Sequence, residues 1–349
     1  MDTRNILIFV HGIMLEEHPP LGRAQYRLLW DVIEESHPEL GQRFEDVDRL
    51  EIEWGKFVRD TIEPDQWINL AEEHLARILD PDEVRKNPNP NNLILPQRRA
   101  TIPTRAWDSM VGPLRQILLI RGLGDMFYYC GSDGQIAVQL SVFHQILEAM
   151  EAYRHLEHVQ LRLHVVAHSL GVSIANDFLH ALFSPHGARL RGQGEVRLPR
   201  FFRTDVLKAR RELTLERLAF WRNHPERLQL GAIASLGSSL PLLILRSQRV
   251  VDLLATGNTL PVDELGIHPE GREIVWKNFY DDLDPLSLPV RPLFGDHATV
   301  QDIQVRSGED PWGTQAYWGC PDVQMHVAEL LARRAAVPAP PVELYPTFG

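Results

Sequence analysis

Six short runs rich in Val, Ile and Leu punctuate the chain: Asn5 to Val10, Leu50 to Trp54, Gln160 to Ala167, Leu228 to Leu236, Glu273 to Tyr280 and Val300 to Arg306. Their apolar positions are consecutive as often as alternate, the pattern of strands buried on both faces of a parallel sheet. Between them, apolar residues recur at helical spacing over Arg23 to Glu35, Gln135 to Tyr153, Ser173 to Phe183 and Asp322 to Arg334. Alternation of strand and helix predicts an α/β fold, doubly wound, with helices on both faces of a mostly parallel sheet.

Two stretches exceed a minimal βα repeat and read as insertions in a single domain of residues 1–349. The first, about 55–134, carries the loop Asn87-Pro88-Asn89-Pro90-Asn91-Asn92; the second, about 184–227, is rich in arginine and includes a predicted helix from Val206 to Trp221. Either is a candidate cap over the C-terminal ends of the strands, where such sheets bind their ligands. The arginines read first as a solvated helix face and second as an anion site. Pro338 to Gly349 reads as an extended terminal segment.

A net charge of -11, from 47 acidic and 36 basic residues, argues against a nucleic-acid surface. The two cysteines, Cys130 and Cys320, lack the spacing of a disulfide framework or a zinc site and read as buried thiols. The run Ile6 to Val10 is too short for a signal h-region, and no apolar run approaches the roughly 18 residues that would span a bilayer. The expected address is cytoplasmic, with no transmembrane segment.

The clearest candidate chemistry lies at Ala167-His168-Ser169-Leu170-Gly171, between the strand Leu161 to Ala167 and a helix continuing from Gly171. A serine centred in such a turn is held in a strained backbone conformation, with its hydroxyl exposed above the sheet at a helix N-terminus. The usual pattern is G-x-S-x-G; Ala167 replaces the first glycine with another small residue. The competing reading is a serine that merely caps the helix.

Acyl transfer needs two N–H donors aimed at the developing oxyanion. Leu170, directly after the serine, is one candidate. Ile13 is the other, because Val10-His11-Gly12-Ile13 closes the first strand and Gly12 permits close approach; an ordinary strand-ending turn is the alternative. The acid of a serine triad built on such a turn follows a later strand. Asn278 to Ser287 presents a strand end and then Asp281, Asp282 and Asp284. Pro285 pushes Asp284 out of helical space, so Asp284 is the preferred acid, with Asp282 and Asp281 as the next candidates; the alternative for those two is a solvated loop charge.

These segments, together with Ser235-Leu236-Gly237-Ser238-Ser239-Leu240-Pro241, resemble the lipase/esterase branch of the α/β-hydrolase superfamily, in order along most of the chain outside the two insertions. Ser235 to Pro241 is similar to the strand end that reads T-x-G-S-P in such lipases. The resemblance implies an α/β-hydrolase fold, a catalytic serine, an HG-type oxyanion loop, no cofactor, and carboxylic-ester substrates, often lipidic.

The base of such a site is a histidine on the loop after the last strand, here Ser307 to Cys320, which contains none. Gly313-Thr314-Gln315-Ala316-Tyr317-Trp318 resembles a segment reading H-x-x-Y-W, with Thr314 in the place of the histidine. His297 and His326 are the two histidines after Asp284. His297 precedes the last strand, near the wrong edge of the sheet; His326, about one turn into the final helix, is preferred, and His11 and His168 follow. A top surface drawn from Trp54, Trp107, Tyr128, Tyr129 and Trp318 would suit an apolar acyl chain. The function expected is therefore cleavage of a small-molecule or lipidic ester by a serine esterase or lipase. An acyltransferase would use the same residues, and the rival class is a hydrolase-fold protein that has lost its base and binds an ester, a lipid or a protein partner.

Overall fold

The computed structural model describes residues 2–12, 20–52, 129, 132–185, 204–244, 248–268, 270–282, 284, 286–295, 297–306 and 316–336. Its strands are β1 (Asp2–Val10), β2 (Arg49–Ile52), β3 (Val159–His168), β4 (Leu228–Leu236), β5 (Trp276–Tyr280) and β6 (Val300–Gln304). They form one sheet in the order β2-β1-β3-β4-β5-β6, and every pairing is parallel. The helices are α1 (Pro20–Ser36), α2 (Glu39–Arg43), α3 (Ser132–Glu151), α4 (Leu170–Phe183), α5 (Thr204–Arg222), α6 (Leu240–Ile244), α7 (Gln248–Ala255), α8 (Arg291–Phe294), α9 (Ala316–Gly319) and α10 (Pro321–Ala336). The chain is an α/β protein with a wholly parallel sheet among the described residues.

Two apolar cores explain the continuous hydrophobic runs. Along β1, Ile6, Ile8 and Val10 face a core shared with α3, α4 and α5, while Leu7 and Phe9 face a second core built with α1, α2, α9 and α10. A strand covered on both faces has no polar side to expose. The two parities cross over in β4, where the register with β3 slips and Gly231 is the extra residue. A Cβ on Gly231 would stand 2.4 Å from the His164 ring, so this bulge is what makes room for a fully buried imidazole. His164 Nε2–H donates to Asn5 Oδ1 at 3.1 Å, which keeps one of its ring nitrogens satisfied.

Several expectations change against these elements. The fifth and sixth strands are shorter than expected, because pairing begins at Trp276 and ends at Gln304. Of the stretch 184–227, α5 lies beside α3 and α4 with Leu218 and Trp221 in the first core, so this part covers a face of the sheet and not its top. Residues 53–128 fall outside the described residues, and with them Trp54, Trp107 and Tyr128. Tyr129 and Trp318 do not contribute to an aromatic surface: both are buried, Tyr129 with its hydroxyl donating to Asp177 and Trp318 edge-on to Tyr26. Among the described residues no helix is long and apolar enough to cross a membrane.

The chain places β2 on one side of β1 and then crosses to place β3 on the other. This reversal of direction makes the carboxyl ends of β1 and β3 the topological switch point of the sheet, the position at which doubly wound sheets bind ligands.

Candidate active site

Ser169 stands at that switch point, between the last residue of β3 and the first of α4. Its backbone is at φ 51°, ψ -122°, and it is the one non-glycine with positive φ among the described residues. Holding an L-residue there costs on the order of 1–3 kcal/mol, which the surroundings must supply. The Ser169 N–H donates to the Leu236 carbonyl of β4 at 2.8 Å, and the Val172 N–H donates to the Ser169 carbonyl at 3.1 Å. The side chain makes no capping hydrogen bond to α4 and is half-buried. The Leu170 N–H belongs to the first turn of α4, whose amides lack intrahelical acceptors, and the positive end of the helix dipole lies at Ser169.

The register of β1 on β3 pairs Val10 with Ala167, which brings His11-Gly12 alongside His168-Ser169. The approach is so close that a Cβ on Gly12 would lie 2.7 Å from Ser169 Cβ and 3.0 Å from His168 Nδ1. Gly171 performs the same service from the helix side, where a Cβ would lie 2.4 Å from the carbonyl oxygens of both Val10 and His11. Small residues around Ser169 are thus required by backbone packing on two sides. His11 Nδ1–H donates to the Gly12 carbonyl at 2.8 Å, which stiffens the end of β1. Ile13, the expected second oxyanion donor, lies outside the described residues.

Asp284 follows β5 and reaches the same edge. Its Oδ2 comes within 3.3 Å of where a Gly237 Cβ would be, and Gly237 directly follows the carbonyl that holds the Ser169 N–H. Oδ1 accepts from the Leu286 N–H at 3.0 Å, and Oδ2 from the Tyr317 hydroxyl at 3.2 Å. Burial raises the Asp284 pKa above the ordinary carboxylate value, against the lowering effect of the Leu286 and Ser287 amides and Tyr317, and with a further upward push from Asp281. The other two acids separate cleanly. Asp282 is exposed and accepts from Gln304, whereas Asp281, for which a solvated loop charge was the alternative, is buried because the turn Asp281 to Ser287 closes over it.

The structure does not bring His326 to Ser169 or Asp284. Its ring stacks on Phe279 with centroids 6.3 Å apart, on the face of the sheet covered by α10, and its Nδ1–H donates to Glu329 at 3.3 Å. The reason is helical: α10 runs down the face from the strand ends, so one turn in, His326 is beside β5, where its carbonyl accepts from Lys277. His297 precedes β6, at the amino edge of the sheet. Thr314 lies outside the described residues. His168 flanks the turn but points into the second core against Tyr317 and Trp318.

Tyr317 and Ser287 were not assigned a role from sequence. The signal was present in the Tyr317-Trp318 pair of the H-x-x-Y-W-like segment, but nothing local connects it to Asp284.

His168 also dictates a pH response. Burial, and secondarily the charge of His11, push its pKa down to about 4; burial likewise depresses His164. In the unfolded chain each imidazole titrates near its ordinary value of 6.5. Between 6.5 and 4 the unfolded state therefore binds protons that the folded state refuses, and stability present above 6.5 is lost as pH falls. His168 contributes a slope of about 1.4 kcal/mol per pH unit in that window, and His164 acts in the same direction below 6.5. Urea midpoints measured from pH 7 to pH 4.5 should fall steeply, and His168→Phe should flatten the slope; an unchanged slope in the variant would show that His168 is not protected from protonation.

Comparison with known proteins supplies no assignment: no family model matches the chain, no curated protein matches it, and no solved structure matches it.

Proposed function

We propose that the chain is a serine hydrolase of the α/β-hydrolase type acting on carboxylic esters, with Ser169 as nucleophile and Asp284 as acid. One observation carries this reading: a serine held at strained positive φ beside the β1/β3 switch point, at a helix N-terminus, with its hydroxyl not spent on capping that helix. Strain of this kind persists where geometry is being maintained for a purpose.

In this reading Ser169 Oγ adds to the ester carbonyl as its proton passes to a base. The oxyanion is held by the Leu170 N–H and by a donor from the loop after β1, for which Ile13 is the candidate. The C–O bond to the leaving alcohol breaks as that alcohol takes the proton, and water then releases the acyl group from Ser169 by the same steps. Asp284 orients and stabilises the protonated base. To serve as that base, His326 would have to leave Glu329 and Phe279. A cytoplasmic address, resting on the net charge and the two cysteines, and an ester substrate with no nucleic-acid partner complete the proposal.

The test is covalent capture. Wild type should be labelled by a fluorophosphonate and should hydrolyse p-nitrophenyl butyrate, and Ser169→Ala should lose labelling and roughly a thousandfold or more in kcat. Equal labelling of the two proteins would sink the reading.

A second reading is favoured by the histidines: among the described residues, no imidazole contacts the Asp284 carboxylate. A protein that keeps the serine turn and binds a lipid, small ester or protein partner without turnover accounts for that. Thr314→His restores the motif that the chain resembles. Activity gained by this variant from an inert wild type would establish the second reading.

A further inference from the structure

Tyr317 belongs to α9 and is fully buried, with its ring packed against Gly237 at the end of β4. Gly237 sits at φ +58, and a Cβ there would come within 2.8 Å of Tyr317 Cε2. Strand β4 is therefore followed by a residue without a side chain where this ring must pass. The phenol hydroxyl then meets Asp284 Oδ2 at 3.2 Å. In the same turn Ser287 Oγ accepts from the Asp281 N–H at 3.4 Å. Ser287 and Asp281 are themselves buried.

The consequence for Asp284 is orientation. A carboxylate offers about four lone-pair sites. Oδ1 is held by the Leu286 amide and Oδ2 by Tyr317, which lie on different elements, so the carboxyl plane cannot turn without breaking one of them. Capacity remains on the group for a further donor, as an acid that must receive an imidazolium N–H requires.

We propose that Tyr317 is a positioning residue: its hydroxyl, together with the Leu286 amide, fixes the rotamer of the Asp284 carboxylate beside Gly237 and the Ser169 turn. The proposal rests on the reading of Asp284 as the acid of a serine hydrolase.

Tyr317→Phe tests it, since the ring that fills the core is kept and the hydroxyl alone is removed. The carboxyl carbon of Asp284, observed by NMR in the ¹³C-aspartate-labelled protein and assigned by its loss in Asp284→Asn, should titrate at higher pH in the variant, because a bond favouring the charged form is gone. On p-nitrophenyl butyrate, kcat should fall about tenfold or more with KM within about twofold, and the acidic limb of kcat/KM should move to higher pH. An Asp284 titration identical to wild type overturns the proposal, as does a loss of thermal stability with an unmoved pH profile. Should Tyr317→Phe fail to fold, wild type decides: the buried Tyr317 hydroxyl proton should give a slowly exchanging resonance in the NMR spectrum that shifts as the Asp284 carboxyl carbon titrates, and a hydroxyl proton that exchanges freely or does not follow that titration overturns it equally. Absence of esterase activity in wild type speaks against the ester-hydrolase function and leaves the NMR titration to decide whether Tyr317 holds Asp284.

Discussion

Replacing Gly171 with alanine is expected to destabilise the protein by about 3 kcal/mol and to abolish fluorophosphonate labelling of Ser169. The added methyl would stand 2.4 Å from two backbone carbonyl oxygens, those of Val10 and His11. A flexible side chain could move aside, but strand backbone cannot, because β1 is paired on both sides, with β2 and with β3. Either α4 lifts from the sheet, which opens the core around Ile8, Val10 and Ile174, or the turn unwinds and Ser169 leaves its positive-φ conformation. Gly319→Ala is the control, since a Cβ there meets nothing within 4 Å. Urea midpoints of the two variants, with m-values compared to exclude a change of unfolding mechanism, check the result. Equal midpoints would mean that β1 and α4 are not in the contact described.

The second large effect belongs to Arg227, which is buried without a carboxylate partner among the described residues. Its guanidinium donates to four backbone carbonyls: Tyr153 at 2.8 Å, Leu156 at 3.0 Å, Arg154 at 3.1 Å and Val159 at 3.4 Å. Three of these carbonyls belong to the turn between α3 and β3 and the fourth to the first residue of β3, the turn's own hydrogen bonds do not use them all, and the ring of Trp221 covers the cation at 5.3 Å. Removing the side chain strands several acceptors in the interior, at about 1–3 kcal/mol for each one that water cannot reach. Arg227→Ala should therefore cost about 3 kcal/mol or more in a denaturation experiment. Arg227→Lys separates charge from geometry: it keeps the cation, but a single ammonium cannot match a planar fork aimed at four oxygens. A lysine variant close to wild type in stability would show that the charge over Phe220 and Trp221, and not the fork, holds this turn.

How much of this was legible in the sequence varies element by element. Strand β4 could be read to the residue, Leu228–Leu236, because both cores claim its side chains and leave an unbroken apolar run. The turn at Ser169 was legible for a different reason: small residues flanking a serine between a buried strand and a helix are a local requirement of backbone packing. Helices α6 and α7 were not anticipated, since a helix of five or eight residues scarcely completes a hydrophobic period. Tyr129 and Trp318 were placed on a surface, and a solvated loop stayed open for Asp281, because composition does not say which neighbours will close over a side chain. His326 is the larger case: its place on α10 and the i+3 pairing with Glu329 were foreseeable, but the direction in which α10 descends, which sets the ring on Phe279, is a property of the assembled sheet.

Among the described residues strand β6 ends the sheet, and no described strand pairs with its outer side. Such a border invites pairing with a second molecule. Here it is only the five residues Val300–Gln304, of which Gln301 and Gln304 are exposed, and it carries an acid in the middle. The Asp302 carboxylate is already engaged by the Asn278 amide and by the N–H groups of Val290 and Arg291, at 2.8–3.0 Å. An incoming strand would have to lie across a short, polar border whose central charge is tied back to its own chain. The features that fasten the segment after Asp284 to the sheet therefore also protect the protein against edge-to-edge aggregation, and neutralising Asp302 would weaken both together.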